Sequence, residues 1–337
     1  MEKIISTYLI FLATITLQAQ DLEKFKGSNG KYGFKDQNGK EIVTAKYDNV
    51  WTWKEDRCPV NIGYKGTFGD QGKWGYIDNS GKEVVPVKYD EAGNFSEGMA
   101  AVKLNNKYGF IDKDGNVKIS FKYGAAEQFK KGMAAVAMGD ANVLASGLKW
   151  GIIAASGKEI VPFKYDKIAT ELFNGSDFCK VNSNNKWGFI NKQGKEIAAP
   201  KYDKAWSFGN GAAAVSIAGK WTFIDETGKE FTALKYDECN GIVPFSEELG
   251  AVKLNGKWSF VSKQGKEITA FKYDEVKFFL DGLAPVNMKG KWGFIDYLGK
   301  EIIPTEFTSV MTFYQGKAKV KKDGREFYID KTGKEVK

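Results

Sequence analysis

One pentapeptide pattern recurs along this chain, and nothing else in the sequence constrains the fold as tightly. Trp74-Gly75-Tyr76-Ile77-Asp78 returns as Trp292-Gly293-Phe294-Ile295-Asp296, with further copies between them. The leading position is held by Tyr32, Trp74, Tyr108, Trp150, Trp187, Trp221, Trp258, Trp292 and Glu326. Seven residues after each comes a glycine, from Gly39 to Gly333. Eight residues further on, in the first eight copies, stands an aromatic, usually within Lys-Tyr-Asp, from Tyr47 to Phe307. Nine units of 34–42 residues therefore follow one another. A fixed period of this length specifies a tandem array in which each unit buries its apolar face against its neighbours.

Each unit predicts β-structure. Trp-Gly-Phe-Ile-Asp is β-branched and aromatic, and the Asp-x-x-Gly that follows is turn chemistry: Asp accepts backbone hydrogen bonds and Gly supplies a positive φ. Lys-Glu-Ile-Val-Pro reads as the return strand. A shorter strand such as Ala100-Ala101-Val102-Lys103 leads into the next unit across a tight Asn-Asn or Asn-Gly turn, as at Asn105-Asn106 and Asn255-Gly256. The minimum unit is a three-stranded antiparallel meander. The stretch from Tyr89 to Phe95 and its counterparts is left open between a bulged fourth strand and a helical turn.

Along Trp-Gly-Phe-Ile, Trp and Phe point to one face and Gly and Ile to the other. Both faces are apolar and need covering. The small Gly slot, filled by Thr222 or Ser259 in two copies, suits close approach of an adjacent sheet. The six repeated tryptophans Trp74, Trp150, Trp187, Trp221, Trp258 and Trp292 read as structural core residues. The first unit has Lys35 where later ones have Ile or Val, and the last has Glu326 in the tryptophan column. Polar residues at the two ends favour an open β-solenoid or superhelix, with a closed, propeller-like ring as the alternative.

These residues resemble the WG-containing repeat family of bacterial proteins, whose units read roughly GKWGFID-x-x-GKEIVP-x-KYD. The resemblance covers nearly the whole chain after the N-terminus. It implies an exported or surface-associated β-repeat protein and carries little about activity.

The N-terminus reads as a secretory signal peptide over residues 1–19: Lys3, an apolar run from Ile4 to Leu17, then Leu17-Gln18-Ala19 before Gln20. The repeat array then fills residues 20–337. The apolar run is too short for the roughly 20 residues that span a bilayer. The expected location is periplasmic, surface-associated or secreted, as a monomer with no transmembrane segment after cleavage.

Chemistry is sparse. The chain contains no histidine, which removes Ser-His-Asp and Cys-His nucleophilic sites and His-bearing zinc sites. Cys58, Cys179 and Cys239 occupy slots that hold Ala or Val in sister copies, so they read as small core residues. The conspicuous Asp residues are repeat elements, as a singular catalytic pair would not be. No catalytic, cofactor-binding or metal-ligating residue is assigned, and no cofactor is expected. The repeated lysines before Trp and Tyr could form basic rows, in keeping with the net charge of +8, but Glu and Asp recur beside them. Nucleic acid is disfavoured by export and by the lack of an Arg-rich patch.

The candidate contacts to a partner are departures from the pattern. Two hairpins are lengthened at the same position, residues 61–73 and 137–149. The first supplies Tyr64, Lys65, Phe68 and Asp70. Trp51 and Trp206 stand in a slot that holds Gly93, Glu127, Ala169, Asn240 or Lys277 elsewhere. The functional expectation is a non-catalytic binding scaffold engaging a protein or glycan of the cell envelope. The alternative is a carbohydrate-active enzyme on a repetitive β framework.

Overall fold

The computed structural model describes residues 22–66, 71–140, 147–169, 176–240 and 245–337. The expected leader peptide, Phe68 and Asp70 lie outside these residues. All regular structure among the described residues is β, in nine small antiparallel sheets that follow one another along the chain. They are numbered here as sheets one to nine. The chain divides into two compact units, residues 1–122 with sheets one to three and residues 123–337 with sheets four to nine. No helix among the described residues is long and apolar enough to cross a membrane.

Sheet five shows the plan. Lys167–Ile168, Phe178–Ser183, Lys186–Asn191 and Glu196–Tyr202 pair in sequence order. The stretch left open in the sequence is a two-residue fourth strand and not a helical turn. It is followed by a second tight turn. In sheet two that turn places Glu55 and Asp56 at φ of 50° and 62°, and the hairpin turn of sheet three places Asn105 and Asn106 at 51° and 64°. Two consecutive positive φ values define the type I′ turn whose twist matches a two-residue hairpin.

The Asp-x-x-Gly turns are closed from both sides. Asp225 Oδ1 accepts the amides of Thr227 and Lys229 at 2.9 and 3.0 Å, and the Gly228 amide donates to the Asp225 carbonyl at 2.9 Å. Gly228 sits at φ +84°. A Cβ there would also run into the Ile197 carbonyl of the preceding sheet. Gly265 stands the same way against the Phe231 carbonyl, and Gly81 against the Val43 side chain. The turn glycine is thus fixed twice, by its φ and by the neighbouring sheet.

The glycine after Trp has a different cause from the one expected. Its close neighbour is its own return strand. A Cβ on Gly75, Gly188 or Gly293 would lie 2.5 Å from the carbonyl of Val85, Ala198 or Ile303. The return strand bulges there, since Trp187 pairs with Tyr202 while Phe189 pairs with Ala198. In sheets six and seven the slot holds Thr222 and Ser259, and the same two sheets lack a regular return strand. Thr222 Oγ1 donates to the Thr232 carbonyl at 2.8 Å and Ser259 Oγ to the Thr269 carbonyl at 2.6 Å. A side-chain hydroxyl substitutes for ladder bonds that the larger residue displaces.

The tryptophan column is shallower than expected. Trp74 is buried, but Trp150, Trp187, Trp221, Trp258 and Trp292 are half-buried on the rims of the apolar clusters. Lys253 roofs Trp258 and Lys277 roofs Trp292, with ammonium-to-ring distances of 5.5 and 5.2 Å. The tyrosine column is deeper: Tyr47, Tyr89, Tyr123, Tyr165, Tyr202, Tyr236 and Tyr273 are at most 1% exposed. Cys58 and Cys179 are buried, Cys239 is half-buried against apolar neighbours, and none is disulfide-linked.

Candidate functional site

The recurring charges bind sheet to sheet. The Asp that follows Tyr in six units, Asp48, Asp90, Asp166, Asp203, Asp237 and Asp274, lies at the joint between consecutive sheets. Asp237 takes Lys220 of sheet six at 2.6 Å through one oxygen, and the Asn255 amide of the sheet-seven hairpin turn at 2.7 Å through the other. Asp203 does the same with Lys186 and the Ala218 amide, and Asp274 with Lys257 and the Lys289 amide. The lysine ammonium first, and the amide second, hold these carboxyls below the usual range. At Tyr165, Tyr202 and Tyr236 the buried hydroxyl reaches a glutamate of the next sheet. Tyr165 donates to Glu196 at 2.5 Å and Tyr202 to Glu230 at 3.0 Å. Burial, and then the carboxylate, push these phenols well above their ordinary pKa. Lys164 and Lys201 pair with the same two glutamates at 2.9 Å. The repeated carboxylates therefore have fixed structural partners.

What remains for a ligand lies where the pattern breaks. Trp51, Thr52 and Trp53 follow the two-residue strand Asn49–Val50 of sheet two, and the Trp51 amide is held by the Pro59 carbonyl at 3.0 Å. Trp53 occupies the slot of Phe95 and Phe279. Its indole Nε1 donates to the Leu22 carbonyl at 2.8 Å, and its ring meets Phe34 edge-on with centroids 5.7 Å apart. Trp51 meets Trp74 edge-on at 5.4 Å and stays 44% exposed. These residues, with Lys24 at the rim, line a cleft of about 310 Å³. It offers indole surface backed by buried apolar groups and one ammonium. Such a surface takes a flat apolar face that carries hydrogen-bond acceptors at its edge, as a sugar ring or an aromatic side chain does.

Neither Tyr64 nor Lys65 lines this cleft. Tyr64 ends the strand Arg57–Tyr64, half-buried and paired with Gln71, so the long hairpin continues the ladder beyond Ile62 and Lys73. It stands five residues from Pro59, which is opposite Trp51, or about 17 Å along the strand. Lys65 is exposed. Trp206 belongs to the second unit, 43% exposed, its amide bonded to the Ala214 carbonyl at 2.9 Å. Leu22, Lys24, Phe34 and Trp53 were not among the sequence candidates. A Trp in the Phe slot at position 53 was the available signal. Among the described residues no cluster of His, Cys, Asp and Glu has the geometry to hold a metal ion.

The sheets and their joints define a class, the all-β tandem-repeat proteins whose units are locally filled meanders. Within it, this chain belongs to the WG containing repeat family, whose profile matches residues 32–65, 74–108, 108–140, 150–187, 187–221, 221–258, 258–292 and 292–325. No curated protein matches the chain. Among solved structures it is similar to PorZ, a surface component of the type-IX secretion system of Porphyromonas gingivalis, at 9% identity and a TM-score of 0.28. That match covers 74% of this chain and 37% of PorZ, so the chain spans little more than a third of that protein. AztD of Citrobacter koseri is similar at 12% identity and a TM-score of 0.29, over 91% of this chain and 90% of AztD. Likenesses at these scores carry no argument about function.

Proposed function

We propose that this chain is an exported, non-catalytic scaffold that binds a protein or glycan of the cell envelope. The observation that carries the reading is the use of its repeated carboxylates. They are held as turn caps, as staples between sheets and as acceptors for buried tyrosines, while exposed indole surface stands open at Trp51. Export rests on the sequence of residues 1–19. The test uses the chain from Gln20 onward, titrated with envelope glycans and assayed for their hydrolysis. Binding without turnover is expected, and Trp51→Ala should weaken it at least tenfold with the thermal transition unmoved. Turnover that disappears on replacing one particular carboxylate would replace this reading with that of a carbohydrate-active enzyme.

We also propose that the array is an open solenoid and not a closed ring. The support is in the two end units, which carry polar residues in apolar columns: Lys35 in the first and Glu326 in the last. Deleting one complete copy, residues 187–220, should shorten the maximum dimension in small-angle scattering and preserve folding. A closed ring would lose its fold on that deletion.

A further inference from the structure

In three sheets the second tight turn is read by a carboxylate of the sheet before it. Glu55 of sheet two receives the amides of Glu97 and Gly98 in sheet three at 2.7 and 2.9 Å. Glu247 of sheet seven receives those of Asp281 and Gly282 in sheet eight at 2.8 and 3.0 Å. Asp281 in turn receives Gly316 of sheet nine at 2.6 Å. A further group, one residue into the Asp-x-x-Gly turn of the receiving sheet, completes each grip: Lys113 on Glu55 at 3.5 Å, the Tyr297 hydroxyl on Glu247 at 2.9 Å, Lys331 on Asp281 at 2.6 Å. The fold thus contains a receptor for a carboxylate, three-point at Glu55 and Glu247 and two-point at Asp281, filled by the chain itself.

Between sheets five and six the receptor is present, and among the described residues its carboxylate is not. Phe178 pairs with Asn191 as Arg57 pairs with Asp78, so the position of Glu55 falls on Ser176. A serine is too short to reach across. The waiting amides are those of Asn210 and Gly211, at φ of 50° and 80°. Among the described residues neither amide has an acceptor. The further group is also changed: Lys113, Tyr297 and Lys331 have Glu226 as their counterpart, and among the described residues it has no hydrogen-bond or ion-pair partner. These groups open into a cleft of about 330 Å³. One wall carries the rings of Phe178 and Phe208, 4.5 Å apart at 37°. Two lysines also line the cleft: Lys192, whose charge is answered by Asp177, and Lys131, which is not free either.

We infer that this cleft binds a saccharide unit, with ring hydroxyls replacing the carboxylate that fills the same receptor elsewhere. Two adjacent amides call for an acceptor, and Glu226 calls for a donor beside it. A simple anion satisfies the amides and is repelled by Glu226; a cation reverses the failure. A hydroxyl is donor and acceptor at once, and the phenylalanine pair supplies an apolar wall for the C–H face of a sugar ring. The inference rests on the scaffold reading and names one class of partner for it.

The test titrates the chain from Gln20 onward, with ¹⁵N-labelled glycine, against neutral tetrasaccharides (maltotetraose, xylotetraose, chitotetraose), tetragalacturonate and an Asn-containing tripeptide. At least one neutral tetrasaccharide should shift the Gly211 amide resonance. The paired change Ser176→Glu with Glu226→Lys rebuilds the self-filled receptor of the sister sheets. It should retain the thermal transition and lose at least tenfold in saccharide affinity. Glu226→Lys alone should turn the preference toward tetragalacturonate. No shift with any neutral sugar overturns the inference. So does stronger binding of tetragalacturonate or the tripeptide to the unaltered protein, or full saccharide affinity in the paired variant. Envelope glycan captured elsewhere on the chain, with Gly211 unmoved, would sink this site and leave the scaffold reading standing.

Discussion

Sheets at the ends of the array keep some repeat residues and give up others, and the division shows what each column does. Gly39 in sheet one and Gly228 in sheet six occupy the same turn at φ of 79° and 84°. A Cβ on Gly39 would meet nothing within 4 Å, whereas on Gly228 it would strike the neighbouring backbone. At the other end Glu326 replaces the tryptophan and pairs with Lys319 at 2.6 Å. Phe307 replaces the tyrosine, and the glutamate such a tyrosine would reach, Glu335, is taken by Arg325 at 2.5 Å. The Asp-x-x-Gly turn and the buried aromatic body persist to the last position. Turn and core positions therefore belong to the sheet, while hydroxyl, indole and the space above the glycine belong to the joint.

The largest expected effect tests the aromatic columns against each other. Tyr202→Ala should cost about 3–5 kcal/mol, the usual range for emptying a fully buried aromatic site. Trp187→Ala, half-buried, should cost about 2 kcal/mol in chemical denaturation. A tryptophan variant that is the less stable of the two would restore the tryptophan column as the core.

Gly228→Ala should cost about 3 kcal/mol or more, because the left-handed penalty is joined by collision with Ile197. Gly39→Ala should pay only the conformational part, about 1–2 kcal/mol. Equal losses would show that the glycine column serves the turn alone.

Alkali should weaken the interior before it touches the turns. Tyr47 is pushed up to about 12 by burial, with nearby Glu83 adding to it, and Tyr165, Tyr202 and Tyr236 are raised for the same kinds of reason. A raised folded-state pKa keeps its full stabilisation below the unfolded value near 10 and loses it as pH climbs through the folded value. The thermal transition should hold to about pH 10 and fall steeply from there to pH 12. A flat profile across that window would mean the phenols are accessible. The smallest effect is that of Tyr202→Phe, about 1 kcal/mol for one hydrogen bond to a glutamate that still has Lys201.

Strands, turns and their order were legible in the sequence because each is set by local chemistry: Asp-x-x-Gly, Asn-Asn and alternation act within a few residues. Depth was not. Trp187 and Tyr202 are directly paired on adjacent strands and a lysine of their own sheet stands over each ring, yet only Tyr202 is fully buried. The glycine after Trp was read correctly as a place of close approach and wrongly as to what approaches, since a bulge in the return strand has no sequence signature of its own. Of the candidate site, Trp51 was visible as a departure from the repeat. Leu22 and Phe34 were not, because only the packing of sheet one on sheet two brings them to it.

The joint between sheets also bears on how such a gene can change. Several crossings use the same kinds of atoms: Asp203, Asp237 and Asp274 each take the next hairpin amide, and Gly228 and Gly265 stand against a preceding carbonyl. Removing or inserting a whole copy by unequal recombination joins surfaces that already fit. Copy number is thus a neutral variable over much of the chain, and chain length among relatives can drift without any new interface having to evolve. A register error of even one residue has no such freedom, since it would set a side chain where the carbonyl of Ile197 now lies against Gly228.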